Sequence, residues 1–280
     1  MSKPRAPIAP KRTDPDGSAT NAARRAGDRG RAAASPARER SAGQRAASPA
    51  GPERGRKSPA SPASSPTARG PRRVLVTAGP TREYIDPVRY ISNESTGKMG
   101  FALAAAAAAR GDRVTLIAGP VNQPTPPGVE RVDVESAREM LAELKRHFRS
   151  ADALFMTAAV ADWRPKRRLS GKWRKKDGGT QSASIELVRN PDLLATVSKR
   201  KGARLVVGFA LETGDGRRRA LAKLRRKNAD YIVLNDQTAL GADRSTVTIL
   251  GRDGSSRTLT RRPKPEIAAA LAALEAPSGA

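Results

Sequence analysis

The 280-residue chain carries 53 Lys and Arg against 27 Asp and Glu, a net charge of +26, with no cysteine and one histidine. This composition excludes disulfides, thiolate metal sites and a cysteine nucleophile, gives a Ser-His-Asp triad little to work with, and describes a protein drawn to polyanions. The longest apolar run, Phe101 to Ala109, is too short and alanine-rich to span a membrane, and the N-terminus has no apolar signal core, so a cytoplasmic location with no membrane partner is expected.

Residues 1–70 hold 15 basic and 5 acidic side chains and, apart from Met1 and Ile8, no apolar residue larger than Ala or Pro. Such a segment buries too little surface to offset its chain entropy, and is expected to be a disordered basic tail, with weak nonspecific binding of nucleic acid as an accessory property. A single domain is expected over 71–276, followed by a short tail at 277–280.

From Pro71 onward strands and helices alternate. The expected order is a buried strand Val74 to Thr77, a long loop through Asn93, a helix from about Lys98 to Arg110, and strands Val114 to Ile117 and Val129 to Val134. A helix over 136–148, carrying His147, leads to a strand Ala153 to Ala159, a helix Asp192 to Arg200 and a strand Leu205 to Ala210. A helix over 216–228, a strand Tyr231 to Leu234, a hairpin around Asp253-Gly254 and a closing helix over 265–275 complete the pattern. Continuous apolar strands alternating with helices predict an α/β fold, a Rossmann-like, mostly parallel sheet with helices on both faces. Ligands of such sheets bind beyond the carboxyl ends of the strands, so the informative residues should follow each strand.

Four stretches do. The loop from Thr77 to Gly100 ends in Ser95-Thr96-Gly97 at a helix start, where free N–H groups and the positive helix end suit a phosphate. Thr96-Gly97-Lys98 has a superficial likeness to a P-loop, but Ser92 stands where its first glycine belongs and Met99 where a magnesium-holding hydroxyl belongs. An NAD fingerprint also fits poorly, because the strand ending at Ile117-Ala118-Gly119 carries no acid for a ribose. This disfavours a nicotinamide-dependent oxidoreductase, one alternative reading; a basic nucleic-acid-binding protein is the other. Thr157-Ala158-Ala159-Val160-Ala161-Asp162 combines small residues with a carboxylate at a strand end, although an acid there often serves only a turn. The run Lys172-Trp173-Arg174-Lys175-Lys176 reads either as a solvated charge cluster or as a cationic loop able to close over phosphates. Finally come Arg189-Asn190-Pro191-Asp192, Gly208-Phe209-Ala210-Leu211-Glu212-Thr213, and Lys223 with Lys227 on one helix face; the first also reads as a simple helix cap and the lysine pair as surface charge.

Together, Asp86-Pro87-Val88-Arg89-Tyr90-Ile91-Ser92-Asn93 followed by Ser-Thr-Gly-Lys-Met-Gly, Ala-Ala-Val-Ala-Asp at 158–162 and Gly-Phe-Ala-Leu-Glu-Thr at 208–213 resemble the phosphopantothenate–cysteine ligase family, from about Val74 to the last helix. The resemblance implies that 4'-phosphopantothenate attacks CTP to give an acyl-cytidylate and pyrophosphate, and that L-cysteine then displaces CMP. It implies that Met156, Thr157, Ala158, Asp162, Asn190, Pro191, Asp192, Leu193 and Phe209 contact the nucleotide, with Lys172, Lys223 and Lys227 near its phosphates. Ser95, Thr96 and Gly97 form the phosphate loop, and Arg89, Asn93 and Lys172 handle the acyl chemistry. Magnesium is expected with CTP, its ligands unassigned, and a homodimer built through strand arms is expected. The flavin-dependent decarboxylase half that often precedes such domains has no counterpart here, so no flavin and a separate decarboxylase chain for the next step are expected.

Overall fold

The computed structural model describes residues 70–174, 182–212, 214–235 and 242–277. Lys175, Lys176 and Thr213, and the tails expected at 1–69 and 278–280, lie outside the described residues.

In chain order the elements are β1 (Arg73–Ala78), β2 (Arg82–Tyr84), β3 (Tyr90–Ser92), α1 (Lys98–Ala109), β4 (Arg113–Ala118), β5 (Val129–Asp133), α2 (Ala137–Phe148) and β6 (Ala153–Met156). They continue as β7 (Trp163–Pro165), β8 (Leu187–Arg189), α3 (Leu193–Ser198), β9 (Leu205–Leu211), α4 (Gly216–Arg226), β10 (Tyr231–Asn235), β11 (Arg244–Gly251), β12 (Ser256–Pro263) and α5 (Lys264–Ala272).

The main sheet has the order β12-β11-β10-β9-β6-β1-β4-β5. Its six strands from β5 to β10 are parallel, and β11 and β12 extend it as an antiparallel hairpin. The chain builds outward from β1 to β5, then returns to β6 and builds outward the other way. The strand direction of travel therefore reverses between β1 and β6, the switch point where sheets of this kind open a crevice.

The apolar strands bury both faces. Val74, Val76 and Ala78 of β1 pack with Phe101 and Leu103 of α1 and with Ile267 and Leu271 of α5 on one face. Leu75 and Leu154 pack with Met140 and Leu144 of α2, Leu193 of α3 and Leu224 of α4 on the other. Truncating a fully buried residue such as Leu154 to Ala is expected to cost about 2–5 kcal/mol. The α2 helix starts in a capping box: the Ser136 side chain accepts from Glu139 N, while the Glu139 carboxylate accepts from Glu135 N at 2.8 Å. His147 lies one turn from Glu143 on that helix, Nε2 to Oε2 3.4 Å, remote from the sheet's crevice.

The fold differs from the expected pattern in three places. The loop before Asn93 contains the β2–β3 hairpin, and a second small hairpin, β7–β8, follows Asp162; each strand has only three residues. β6 stops at Met156 rather than Ala159, because side-chain hydroxyls take over its hydrogen bonds: Thr157 Oγ1 donates to Thr77 O, and Ala158 N donates to Thr77 Oγ1 at 3.2 Å. α3 is shorter than expected, six residues closed by Lys199 as its cap.

Candidate functional site

The segment after β6 is held by its neighbours while leaving the ladder. Ala159 N donates to Gly79 O at 2.9 Å, and Ala161 N donates to the buried Thr81 hydroxyl at 3.0 Å. The small side chains at 158, 159 and 161 let the loop beyond β1 lie alongside it. Asn93 Nδ2 donates to Ala159 O at 3.1 Å, tying the end of the β3 loop to the same segment. Asn190 completes the frame: its backbone N–H donates to Asp162 O at 2.8 Å and its side chain to Ala161 O at 2.8 Å.

At the start of α1, Gly97 occupies the N-cap with φ 73°, a left-handed conformation that glycine adopts without a Cβ penalty. No side chain caps the helix there, and its first turn carries no acid. Gly100 brings this end against the sheet: a Cβ at that position would fall 2.5 Å from both Ala78 Cβ and Thr157 Oγ1.

Two adjoining clefts open over these carboxyl ends. The Asp192 cleft, about 430 Å³, is lined by Met156, Ala158, Asp162, Asn190, Pro191, Asp192, Leu193, Phe209, Lys223 and Lys227. The Ser95 cleft, about 650 Å³, is lined by Ser95, Thr96, Gly97 and Thr157, and shares Ala158, Asp162, Phe209 and Lys223 with the first. Residues spread over more than 130 positions of sequence thus converge on one crevice at the switch point.

The electrostatics of the crevice suit anions. Lys223 Nζ donates to Phe209 O at 2.7 Å, and burial lowers its proton affinity against the opposing pull of Glu212 and Asp162. Burial also lowers that of Lys227, again against Asp162. Lys227 pairs with Asp192, whose other oxygen accepts from Ala195 N at 2.9 Å as the N-cap of α3. The cap reading of Asp192 is therefore correct as structure, and the same residue lines the cleft. Two partly desolvated ammonium groups beside an exposed carboxylate gain most from a ligand that brings negative charge.

Arg89 and Lys172 stand elsewhere. Asp86, fully buried, accepts from Val88 N at 2.7 Å, Arg89 N at 2.8 Å, Arg89 Nε at 2.9 Å and Trp173 N at 3.0 Å. Burial pushes its carboxyl up, but these hydrogen bonds outweigh burial and hold it well below the usual carboxylate range. Arg89 also donates to Trp173 O and lies 5.8 Å from the Trp173 ring. The β2–β3 hairpin and the segment around Lys172 are therefore one arm knotted on Asp86. Lys172 lines a separate hollow of about 520 Å³ with Ile85, Leu169, Trp173 and Ile185, and neither Arg89 nor Lys172 lines the crevice of its own chain. Reasoning from the sequence assigned no role to Asp86, nor to Lys98, Ser245 and Lys264, which also line the Ser95 cleft. The signal for the first was an Asp-Pro turn with an Arg three residues on; for the two lysines it was a cation at the first position of a helix, where the dipole disfavours it.

Comparison with known proteins identifies the scaffold. The sequence model of the DNA/pantothenate metabolism flavoprotein C-terminal domain matches residues 70–276. The chain belongs to this family. Among the family's curated relatives, the coenzyme A biosynthesis bifunctional protein CoaBC of Vibrio cholerae is 46% identical over 188 residues, 65% of this chain and 47% of that protein. The chain thus spans about half the length of the curated relatives it matches. The crystal structure of the C-terminal domain of a CoaBC superposes with a TM-score of 0.62 at 40% identity, covering 72% of this chain and 92% of that one. A mutant Cab2 solved in complex with phosphopantothenate-cysteine shares the fold, with a TM-score of 0.60 at 16% identity over 72% of this chain and 85% of that one.

Proposed function

We propose that the chain is a ligase joining 4'-phosphopantothenate to L-cysteine through an acyl-cytidylate, a step of coenzyme A biosynthesis. The observation that carries this reading is the convergence of Asp162, Asn190, Asp192, Phe209, Lys223 and Lys227 on one cleft that is continuous with the Ser95-Thr96-Gly97 loop. The identity to CoaBC and the phosphopantothenate-cysteine held by the related Cab2 fold support the choice of substrates.

The chemistry suits the residues present. A carboxylate needs no general base to attack phosphorus; it needs alignment and relief of charge repulsion. The substrate carboxylate forms a bond to the α-phosphorus of CTP as the bond to the β-phosphate oxygen breaks, and pyrophosphate leaves. The cysteine amine then attacks the acyl carbon, expels CMP and loses its proton to water. Lys223, Lys227 and the α1 N-terminus would steady the phosphates, and Asn93, beside Ala159 at the mouth, would hold the acyl group. Among the described residues no three acidic or histidine side chains cluster as metal ligands, so magnesium is proposed to enter as the counter-ion of CTP, held by phosphate oxygens and water.

The arm supports a homodimer. It carries Arg89 and Lys172 away from the crevice of their own chain and exposes Val88 and Leu169, so a partner whose crevice receives the arm would regain both cations. The test is to incubate the chain with phosphopantothenate, magnesium and CTP or ATP, with and without cysteine. Pyrophosphate release that requires phosphopantothenate, followed by CMP and phosphopantothenoylcysteine only when cysteine is added, is the expected result. Release that ignores phosphopantothenate would overturn the reading.

A further inference from the structure

The wall of the Ser95 cleft opposite Asp162 and Phe209 is built against local helix preference. Lys98 is the first residue of α1 and Lys264 the first residue of α5, so each puts a cation at the positive end of its own helix, where the dipole is unfavourable. Neither helix has a side-chain cap, and α1 has no acid in its first turn. The two helices lie on the same face of the sheet, and both lysines line the same cleft together with Ser245 and the N–H groups around Gly97.

Lys264 is only 8% exposed, an unusual place for an ammonium group. Burial, and then the like charge of Lys98, lower its proton affinity, partly offset by Asp243. Asp243 is the countercharge of the pair: its Oδ1 lies 2.8 Å from Lys98 Nζ, and its backbone oxygen accepts from Lys264 N at 2.9 Å. The Asp243 side chain is 86% exposed, so it is a weakly held partner that a better-placed anion can replace. Local rules broken at two helix starts on one cavity, with two cations facing one carboxylate, mark a place that stability alone does not explain.

We propose that Lys98 and Lys264 form a phosphoryl subsite in this cleft, binding a terminal phosphate dianion in exchange for the Asp243 carboxylate, with the α1 and α5 N-termini and the Ser245 hydroxyl completing its contacts. The subsite is separate from the Lys223–Lys227 pair in residues and in wall. Under the ligase reading, on which the choice of ligand rests, the dianion is either the β,γ-phosphate end of the nucleotide or the phosphate monoester of phosphopantothenate. The two share one chemistry and are told apart by titration.

The experiment is calorimetric titration of the full chain with inorganic pyrophosphate, CTP, CMP and phosphopantothenate, each without the other substrates. Lys98→Met and Lys264→Met should each weaken pyrophosphate by about tenfold or more, the scale of one hydrogen bond to a charged group, while thermal melting stays cooperative. Asp243→Asn should tighten it by a few-fold, because a competing anion is removed; a merely structural role for the pair would not produce a gain. Weakened CTP with unchanged CMP assigns the subsite to the β,γ-phosphates, and weakened phosphopantothenate with unchanged CTP assigns it to the monoester. If Lys264→Met does not fold, Lys98→Met and Asp243→Asn decide the matter alone. A chain that binds pyrophosphate through these lysines but ligates nothing leaves the subsite and removes the ligase reading. A chain that ligates, while the variants bind all four ligands as the unaltered chain does, overturns the subsite.

Discussion

Lys223 shows how one residue can be legible as chemistry and not as structure. The spacing of Lys223 and Lys227 places them on one helix face, which predicts surface charge as readily as a site. What decides is depth: Lys223 reaches under Phe209 O, where burial lowers its proton affinity below the ordinary 10.5. Bound phosphate favours the charged form, so nucleotide binding should take up protons at a pH below the ordinary lysine range. Affinity should fall as pH rises through that lowered range. Calorimetry in two buffers of different ionisation enthalpy reads this directly, and Lys223→Met should remove the Lys223 share of the uptake. Asp162 lies within electrostatic reach of both lysines and lines both clefts. Asp162→Ala should raise the nucleotide KM by about tenfold, as expected for one charged contact, and blur the choice between CTP and ATP. Unaltered selectivity would leave Asp162 as a residue of the turn. Asn190 and Asp192 were legible both as caps and as ligands, and geometry gives both their structural duties: one clamps the Asp162 loop and the other starts α3.

At the level of elements, β1, β4, β9 and the helices could be read in the sequence because each is longer than its own period of burial. The hairpins β2–β3 and β7–β8 could not, since three residues are too few to show alternation. The end of β6 was misplaced for a different reason: Ala158 and Ala159 are apolar enough to continue a strand, and only the hydroxyls of Thr77 and Thr157 show why the ladder stops. The seating of α1 rests on Gly100. Gly100→Ala would put its Cβ 2.5 Å from Ala78 Cβ and Thr157 Oγ1, atoms of a strand and a site loop that have little room to move. The expected cost is about 1–3 kcal/mol of stability, as for overpacked cores, measured by urea unfolding. Because the clash also lifts the phosphate loop, nucleotide affinity should fall even at temperatures where the chain stays folded. Alanine tolerated without loss of either would mean that α1 is less closely docked than its geometry indicates.

For the molecule as a whole, the parallel sheet supplies one crevice and the arm supplies cations that do not reach it within a single chain. The Asp86 knot fixes Arg89 and the backbone of Trp173 together, so the arm should behave as one rigid piece. If dimers exchange arms, Arg89→Ala and Asp162→Ala chains, each inactive alone, should complement when unfolded and refolded together. Random pairing leaves one intact crevice in half of the dimers, so about a quarter of the unmutated activity should return. No recovery would place Arg89 in its own chain's chemistry or outside it altogether. The central claim, activation of a carboxylate by a nucleotide in this crevice, is tested most directly by pyrophosphate release from CTP in the absence of cysteine. The expected result is a burst of pyrophosphate close to one per site that requires 4'-phosphopantothenate and is lost in Lys223→Met. Release at the same rate without phosphopantothenate, or no release until cysteine is added, would contradict an acyl-cytidylate formed before the amine attacks.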